Sequence, residues 1–205
     1  KKNIESCLSL IEVVKNMILK KELKKNIKFI HISTDEVFGD VKKPVNENGR
    51  YLPNSPYAAS KASIDLLLRS YYKTFKFPYV ICHPSNNYGP FQFPEKLIPL
   101  VISNALSGLK LPIYGDGLQI RDWLYVDDHA AALYLIVTKG LVGETFNIGG
   151  HSEKTNLEVV HAICDILDVL RPISQDNNNS SYADLIEFVP DRPGHDLRYA
   201  IDSSK

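Results

Sequence analysis

The chain has 205 residues, 44% of them hydrophobic, enough to bury the core of one large domain or of a domain with a small lobe. Lysine plus arginine and aspartate plus glutamate balance at 24 each, so no net basic field points to nucleic acid or an anionic membrane surface, and positive charge that holds a ligand must be local. No apolar run nears the ~18 residues of a membrane helix, and Cys7, Cys82 and Cys164 are odd in number and widely separated, as for reduced buried thiols in a cytoplasmic protein rather than a disulfide framework or a zinc site.

Leu8, Ile11, Val14 and Ile18 recur at helical spacing and run into Lys20 and Lys21, so the chain opens inside a helix, without an initiator Met, and reads as truncated. Phe29 to Ser33 is a short buried strand, with Thr34, Asp35 and Glu36 just beyond its end. A loop rich in Pro, Asn and Gly (44–54) leads to Ser55 as N-cap and Pro56 at the first position of a helix that reaches about Lys76. Tyr79 to His83 is the next strand, followed by the turn-forming run Pro84 to Pro90. A helix from Glu95 to Leu106 stops at Gly108. A strand from Leu111 to Tyr114 enters the Gly115-Asp116-Gly117 turn. Asp127 is a candidate cap for a helix to Lys139, Phe146 to Ile148 reads as a strand, and Asn156 is a candidate cap for a helix to Leu170. Asn177 to Ser181 looks like a low-complexity loop. This alternation predicts a doubly wound α/β fold.

Tyr57 and Lys61 are four apart and share a helix face. A phenol is a poor base near neutrality, with an ordinary pKa of ~10, and lowering it to neutrality takes about 4 kcal/mol, which a close ammonium in a partly dry site can supply. Tyr72 and Lys76 repeat the spacing, but roughly 22 Å further down the helix, away from the strand end. They read as a structural pair. Asp35 and Glu36 have a plain reading as turn-capping carboxylates. Beside a tyrosine and lysine they have another: adjacent carboxylates repel, one keeps its proton while the other ionises, and the pair provides a general acid and a general base. Thr34 adds a hydroxyl for a substrate hydroxyl.

Six motifs then fall in order: Ser-Thr-Asp-Glu-Val-Phe-Gly from Ser33, Ser-Pro-Tyr-x-x-Ser-Lys-Ala from Ser55, Ser-Asn-Asn-Tyr-Gly-Pro from Ser85, Pro-Glu-Lys-Leu-Ile-Pro from Pro94, Gln-x-Arg-Asp-Trp-Leu-Tyr-Val from Gln119 and Asp-Arg-Pro-Gly-His-Asp from Asp191. Together they resemble the dTDP-glucose 4,6-dehydratases of the extended short-chain dehydrogenase/reductase family, from about Phe29 to the end. The resemblance implies an incomplete Rossmann-type parallel sheet with a smaller C-terminal substrate-binding lobe. Residues 1–90 would carry the catalytic half of the NAD-binding domain, and 91–205 mainly the lobe, with sheet elements around 124–150.

It further implies an NAD-dependent lyase. Tyr57, with Lys61 and Thr34, takes the 4-hydroxyl proton of dTDP-glucose, Glu36 removes the C5 proton, and Asp35 protonates the departing C6 hydroxyl. Tyr57, Lys61 and Asn87 are implied cofactor contacts. Thr34, Asn86, Lys96, Leu97, Pro112, Ile113, Tyr114, Arg121, Asn156, Asp191, Arg192 and His195 are implied sugar-nucleotide contacts. Asn86 and Asn87 also fit plain turn residues, lone arginines are more often surface ion pairs, and Trp123 reads as core. A homodimer is implied, formed by the Tyr57 helix and the preceding one.

Two departures stand out. The glycine-rich dinucleotide loop and the acidic ribose ligand after it are absent, so the polypeptide as written is expected to bind NAD poorly and to be inactive alone. Phe38 replaces the usual tyrosine, at little expected cost. A UDP-sugar 4,6-dehydratase is an alternative, a nucleotide-sugar 4-epimerase or decarboxylase shares the tyrosine and lysine but not the adjacent carboxylates, and a non-catalytic sugar-nucleotide-binding module is the reading from another class.

Overall fold

A computed structural model describes residues 2–24, 26–173 and 180–205. Helix α1 (Lys2–Leu19) lays Cys7, Ile11, Val14 and Ile18 along one face, and Ile11 is fully buried against Ile64, Leu68 and Tyr79. Strand β1 (Phe29–Ile32) ends at the short 3-10 helix Asp35–Phe38. Gly39 then turns the chain at φ 72°, and a Cβ there would sit 2.1 Å from the Leu52 carbonyl oxygen, so only glycine fits. Helix α2 (Pro56–Phe75) begins as the sequence predicts: Ser55 Oγ accepts from the Ala58 amide at 3.0 Å with proline at the first position, and Lys76 ends the helix in a left-handed conformation.

Strands β2 (Tyr79–Pro84) and β6 (Thr145–Ile148) complete a parallel sheet in the order β1-β2-β6, with Ile30 opposite Val80 and Cys82 opposite Phe146. Side chains alternate along β2. Tyr79 and Ile81 meet α1 and α2, while Val80 and Cys82 meet helix α4 (Val126–Lys139) through Ile136. Helices on both faces make the sheet doubly wound. Helix α3 (Leu97–Leu106), strand β4 (Leu111–Tyr114), helix α5 (Asn156–Leu170), the 3-10 helix Tyr182–Leu185 and strand β8 (Ile186–Val189) surround a second core of Val101, Leu111, Ile113, Val160 and Cys164.

The sequence reading needs correction at several points. The run Pro84 to Pro90 contains strand β3 (Asn86–Tyr88), which pairs in parallel with strand β5 (Ile120–Tyr125), while β5 pairs antiparallel with strand β7 (Glu153–Thr155). Local turn propensity loses to pairing with a distant strand. Tyr125, not Asp127, is the N-cap of α4 and makes no side-chain bond there, and Thr155, not Asn156, caps α5 in a reciprocal box with Glu158. Helix α3 starts at Leu97 rather than Glu95. Most of the Asn177 to Ser181 loop lies outside the described residues. Among the described residues no helix is long and apolar enough to cross a membrane.

Candidate active site

The site forms beyond the carboxyl ends of β1 and β2, where open α/β sheets place ligands. Thr34 is the N-cap of the 3-10 helix: its Oγ1 accepts from the Glu36 amide at 3.4 Å and donates to Asp35 Oδ1 at 3.3 Å. This tight turn tucks Asp35 inward until it is only 4% exposed, with Oδ2 buried and without a hydrogen-bond partner. Burial first, then the neighbouring Glu36 charge, pushes the Asp35 carboxyl up to about 7. Glu36 is also raised, chiefly by burial, but the positive charges of Arg121, Arg192 and Lys96 oppose the rise. Both carboxyls are thus raised, Asp35 to about 7, and the basic groups oppose the rise at Glu36.

Tyr57 opens onto the same space, 47% exposed, in the first turn of α2. Its phenol is raised rather than lowered: burial acts first, then the charges of Glu36 and Asp35, and Lys61 has no part. The physical reason is that Lys61 Nζ donates to the Ile32 carbonyl at 2.7 Å and interacts with Asp65 and Cys7, while burial pulls its own pKa down. Tyr72, by contrast, packs edge-on to Tyr79 with ring centroids 5.6 Å apart, as a structural tyrosine should.

The charges felt by Glu36 show that Lys96, Arg121 and Arg192 converge on this site across most of the chain. They differ in availability. Arg121 is 4% exposed, stacks over the Tyr199 ring at 4.2 Å, and gives its terminal nitrogens to the carbonyls of Ile120, Leu197 and Asp196. These bonds account for Nη1 and one hydrogen of Nη2, leaving Nε–H and the second Nη2 hydrogen. Arg192 and Lys96 are exposed, and the Arg192 guanidinium has no hydrogen-bond partner among the described residues.

A second group forms around Asp191. His195 Nδ1 donates to its Oδ1 at 2.7 Å and Gln119 Nε2 to its Oδ2 at 3.2 Å, while Asn156 Nδ2 reaches Gln119 Oε1 at 3.5 Å. Burial pushes the His195 imidazole below its ordinary range, against the opposing pull of its hydrogen bond to Asp191. Of the wall expected from Pro112, Ile113 and Tyr114, Ile113 faces the lobe core at 1% exposure and offers no side chain to a ligand, and Leu97 likewise packs toward that core. Tyr114 is 48% exposed. Asn86 and Asn87 sit on β3, where Asn87 receives a 2.6 Å hydrogen bond from His129 Nδ1 and donates to the Ser85 carbonyl. Trp123 is half-buried, lining an apolar cavity of about 930 Å³ with Tyr88 and α5 rather than filling the core.

Sequence reasoning missed Ser85, whose buried Oγ lacks a partner, along with Gln119, Asp196 and Tyr199. Ser85 was hidden among turn formers. The rest become significant only through long-range contacts.

Compared with known proteins, the chain matches the GDP-mannose 4,6 dehydratase family over residues 1–205. The chain belongs to that family. It is 58% identical over 187 residues to the dTDP-glucose 4,6-dehydratase of Neisseria gonorrhoeae, covering 90% of this chain and 54% of that protein. To a dTDP-glucose 4,6-dehydratase of Escherichia coli it is 54% identical over 216 residues, covering 99% of this chain and 58% of that protein. The crystal structure of the dTDP-glucose 4,6-dehydratase of Streptomyces venezuelae with NAD bound superposes with a TM-score of 0.83 at 38% identity, over 98% of this chain and 57% of that one. The chain thus spans about half the length of the curated family members it matches.

Proposed function

We propose that this chain supplies the catalytic and sugar-nucleotide-binding part of an NAD-dependent dTDP-glucose 4,6-dehydratase, with residues 1–90 carrying the catalytic strand ends and 91–205 mainly the substrate lobe. The observation that carries the reading is Asp35: a buried carboxyl with a free Oδ2 and a pKa of about 7, next to a second carboxylate. An elimination needs such a pair, and a hydride exchange at C4 alone does not.

NAD, when bound, would supply a hydride acceptor for C4, a hydride donor for C6 and a positive ring charge. The unpartnered Ser85 Oγ and the half-exposed Tyr57 suit its nicotinamide end, and Tyr57, Lys61 and Asn87 are the residues that would hold it. Tyr57 takes the 4-hydroxyl proton as the ketone forms. The charges that oppose its phenolate are offset from within: Asp35 stays protonated, and Arg121, Arg192 and Lys96 draw on Glu36.

The C4 ketone acidifies C5–H, which Glu36 removes. Its electron pair forms the C5=C6 bond while the C6–O bond breaks, and Asp35 gives its proton so that water departs. Glu36 returns a proton to C5 as hydride reaches C6. One proton has then moved from Asp35 to water and one from C4–OH to Tyr57, and exchange with solvent resets both. Thr34 positions the hydroxyls, Arg192 and Lys96 meet the diphosphate, and Asn86, Asn156, Tyr114, His195 and Asp191 hold the rest of the sugar nucleotide.

The homodimer is proposed on the α1–α2 face, where Leu10, Val13 and Leu66 are each more than half exposed, at 53%, 55% and 56%. In the full-length protein, Asp35→Asn with Glu36→Gln should leave C4 oxidation in place and lower water loss by about 10² to 10⁴ fold. Formation of 4-keto-6-deoxy product at the wild-type rate rejects the roles assigned to the two carboxylates.

A further inference from the structure

Behind Thr34 to Glu36 lies a buried polar cluster that the proposed reaction does not use. Its centre is Asp65, fully buried on α2 one turn beyond Lys61. Asp65 Oδ2 accepts from Ser33 Oγ at 2.9 Å and lies 2.9 Å from His83 Nε2, while Oδ1 is 3.4 Å from His31 Nε2. His31 and Ser33 alternate at the end of β1, so both face α2.

Hydrogen counting fixes the state of His83. Asn147 Nδ2 donates to the carbonyls of Val45 and Asp202 at 2.9 and 3.0 Å, which turns its Oδ1 toward His83 Nδ1 at 3.2 Å, so Nδ1 carries a proton. At the other nitrogen, Arg69 donates to Tyr51 Oη at 2.9 Å, and Tyr51 must pass its own proton onward. Its hydroxyl lies 3.1 Å from His83 Nε2, with the Asp65 carboxylate close enough to act on it electrostatically. A bare Nε2 would face a carboxylate lone pair at 2.9 Å. A proton on Asp65 instead would compete with Tyr51 for the single Nε2 lone pair. A proton on Nε2, with Asp65 ionised, puts a donor on that 2.9 Å contact, while Asp65 Oδ1 and His31 Nε2, 3.4 Å apart, keep no hydrogen bond.

We propose that Asp65 and a doubly protonated His83 form a buried ion pair whose role is positioning: it clamps the end of β1 to α2 and so sets Lys61 and the Thr34–Glu36 turn in register. The inference rests on the reading of those residues as reacting groups. Lys61 Nζ bonds to the Ile32 carbonyl at 2.7 Å, between the two β1 residues that face Asp65. Asp65 is also the main carboxylate favouring the Lys61 ammonium against its burial. Loss of the clamp would therefore move the reacting groups without touching the sugar-nucleotide contacts around Asp191.

The test has two arms, both on the full-length protein. With histidine labelled in ¹⁵N and the signals assigned through His83→Asn, His83 should show two protonated ring nitrogens at neutral pH. A single-proton tautomer overturns the ion pair, whatever the enzyme proves to do. In the second arm, Asp65→Asn should lower kcat on dTDP-glucose by on the order of 10² fold with KM within about twofold, because a displacement of about 1 Å costs that much. Should that variant fail to fold, Asp65→Asn with His83→Asn removes both charges and gives the same comparison. An unchanged kcat in a folded variant, with only thermal stability reduced, makes the cluster structural and overturns the positioning role. Wild-type enzyme without dehydratase activity would instead count against the function proposed above, and the ¹⁵N measurement would still decide the ion pair.

Discussion

The turn after β1 and the group around Asp191, both proposed to serve one ligand, handle polarity in opposite ways. At the β1 end, Asp35 is dry, incompletely hydrogen-bonded and shifted far from its ordinary pKa. Around Asp191, His195, Gln119 and Asn156 already bond to one another, and the Asp191 carboxylate is held below its ordinary range by His195. A group that must change protonation gains from burial, while groups that only hold a ligand gain from being fixed beforehand.

The contrast can be broken by substitution. Tyr57→Phe should have the largest effect, lowering turnover of the full-length protein by about 10² to 10⁴ fold while the Kd for dTDP, read by calorimetry, stays within about twofold. A comparable loss of dTDP affinity would erase the distinction between the regions.

Asp35→Asn should come next, as a stability effect with a defined pH window. Native Asp35 keeps its proton to about 7, against an ordinary value of 3.8, so between those limits the native state binds more protons than the unfolded chain and wild-type stability falls as pH rises. The full rise corresponds to at most about 4 kcal/mol. Urea unfolding should therefore find Asp35→Asn equal to wild type below about pH 4 and more stable by about 2 to 4 kcal/mol at pH 8. No pH dependence in the difference would mean that Asp35 is ionised in the native state.

His195→Gln should be smaller and confined to binding, with about tenfold weaker dTDP and a stability change within about 0.5 kcal/mol. Smallest of all is Tyr72→Phe: no hydrogen bond of its hydroxyl is present among the described residues, so turnover and melting temperature should match wild type. A catalytic defect there would show that helical spacing of Tyr and Lys had been assigned to the wrong pair.

Much of this architecture was legible in the chain because local signals and burial agree. Ser55 and Pro56 open α2, the β-branched run 29–32 forms β1, and the Tyr79 strand alternates between two helix layers. What was not legible depends on partners distant in sequence. β3 reads as turns until Trp123 pairs beside it, and the Arg121 stack on Tyr199 and its bonds to the carbonyls of Asp196 and Leu197 join residues far apart in the chain. Lys61 lies in the expected place on α2 but spends its charge on Ile32 and Asp65, which spacing alone does not reveal. A carboxyl that keeps its proton is expected from the adjacency of Asp35 and Glu36, whereas the main cause of the rise at Asp35, burial in a capped turn, required the fold.

The most direct test of the elimination assigned to Asp35 and Glu36 is mass spectrometry of the product formed from dTDP-glucose by the full-length protein in D₂O. The account predicts a product lacking one water and carrying one deuterium at C5, because the proton Glu36 returns exchanges with solvent. A product of unchanged formula, epimerised at C4, would contradict it.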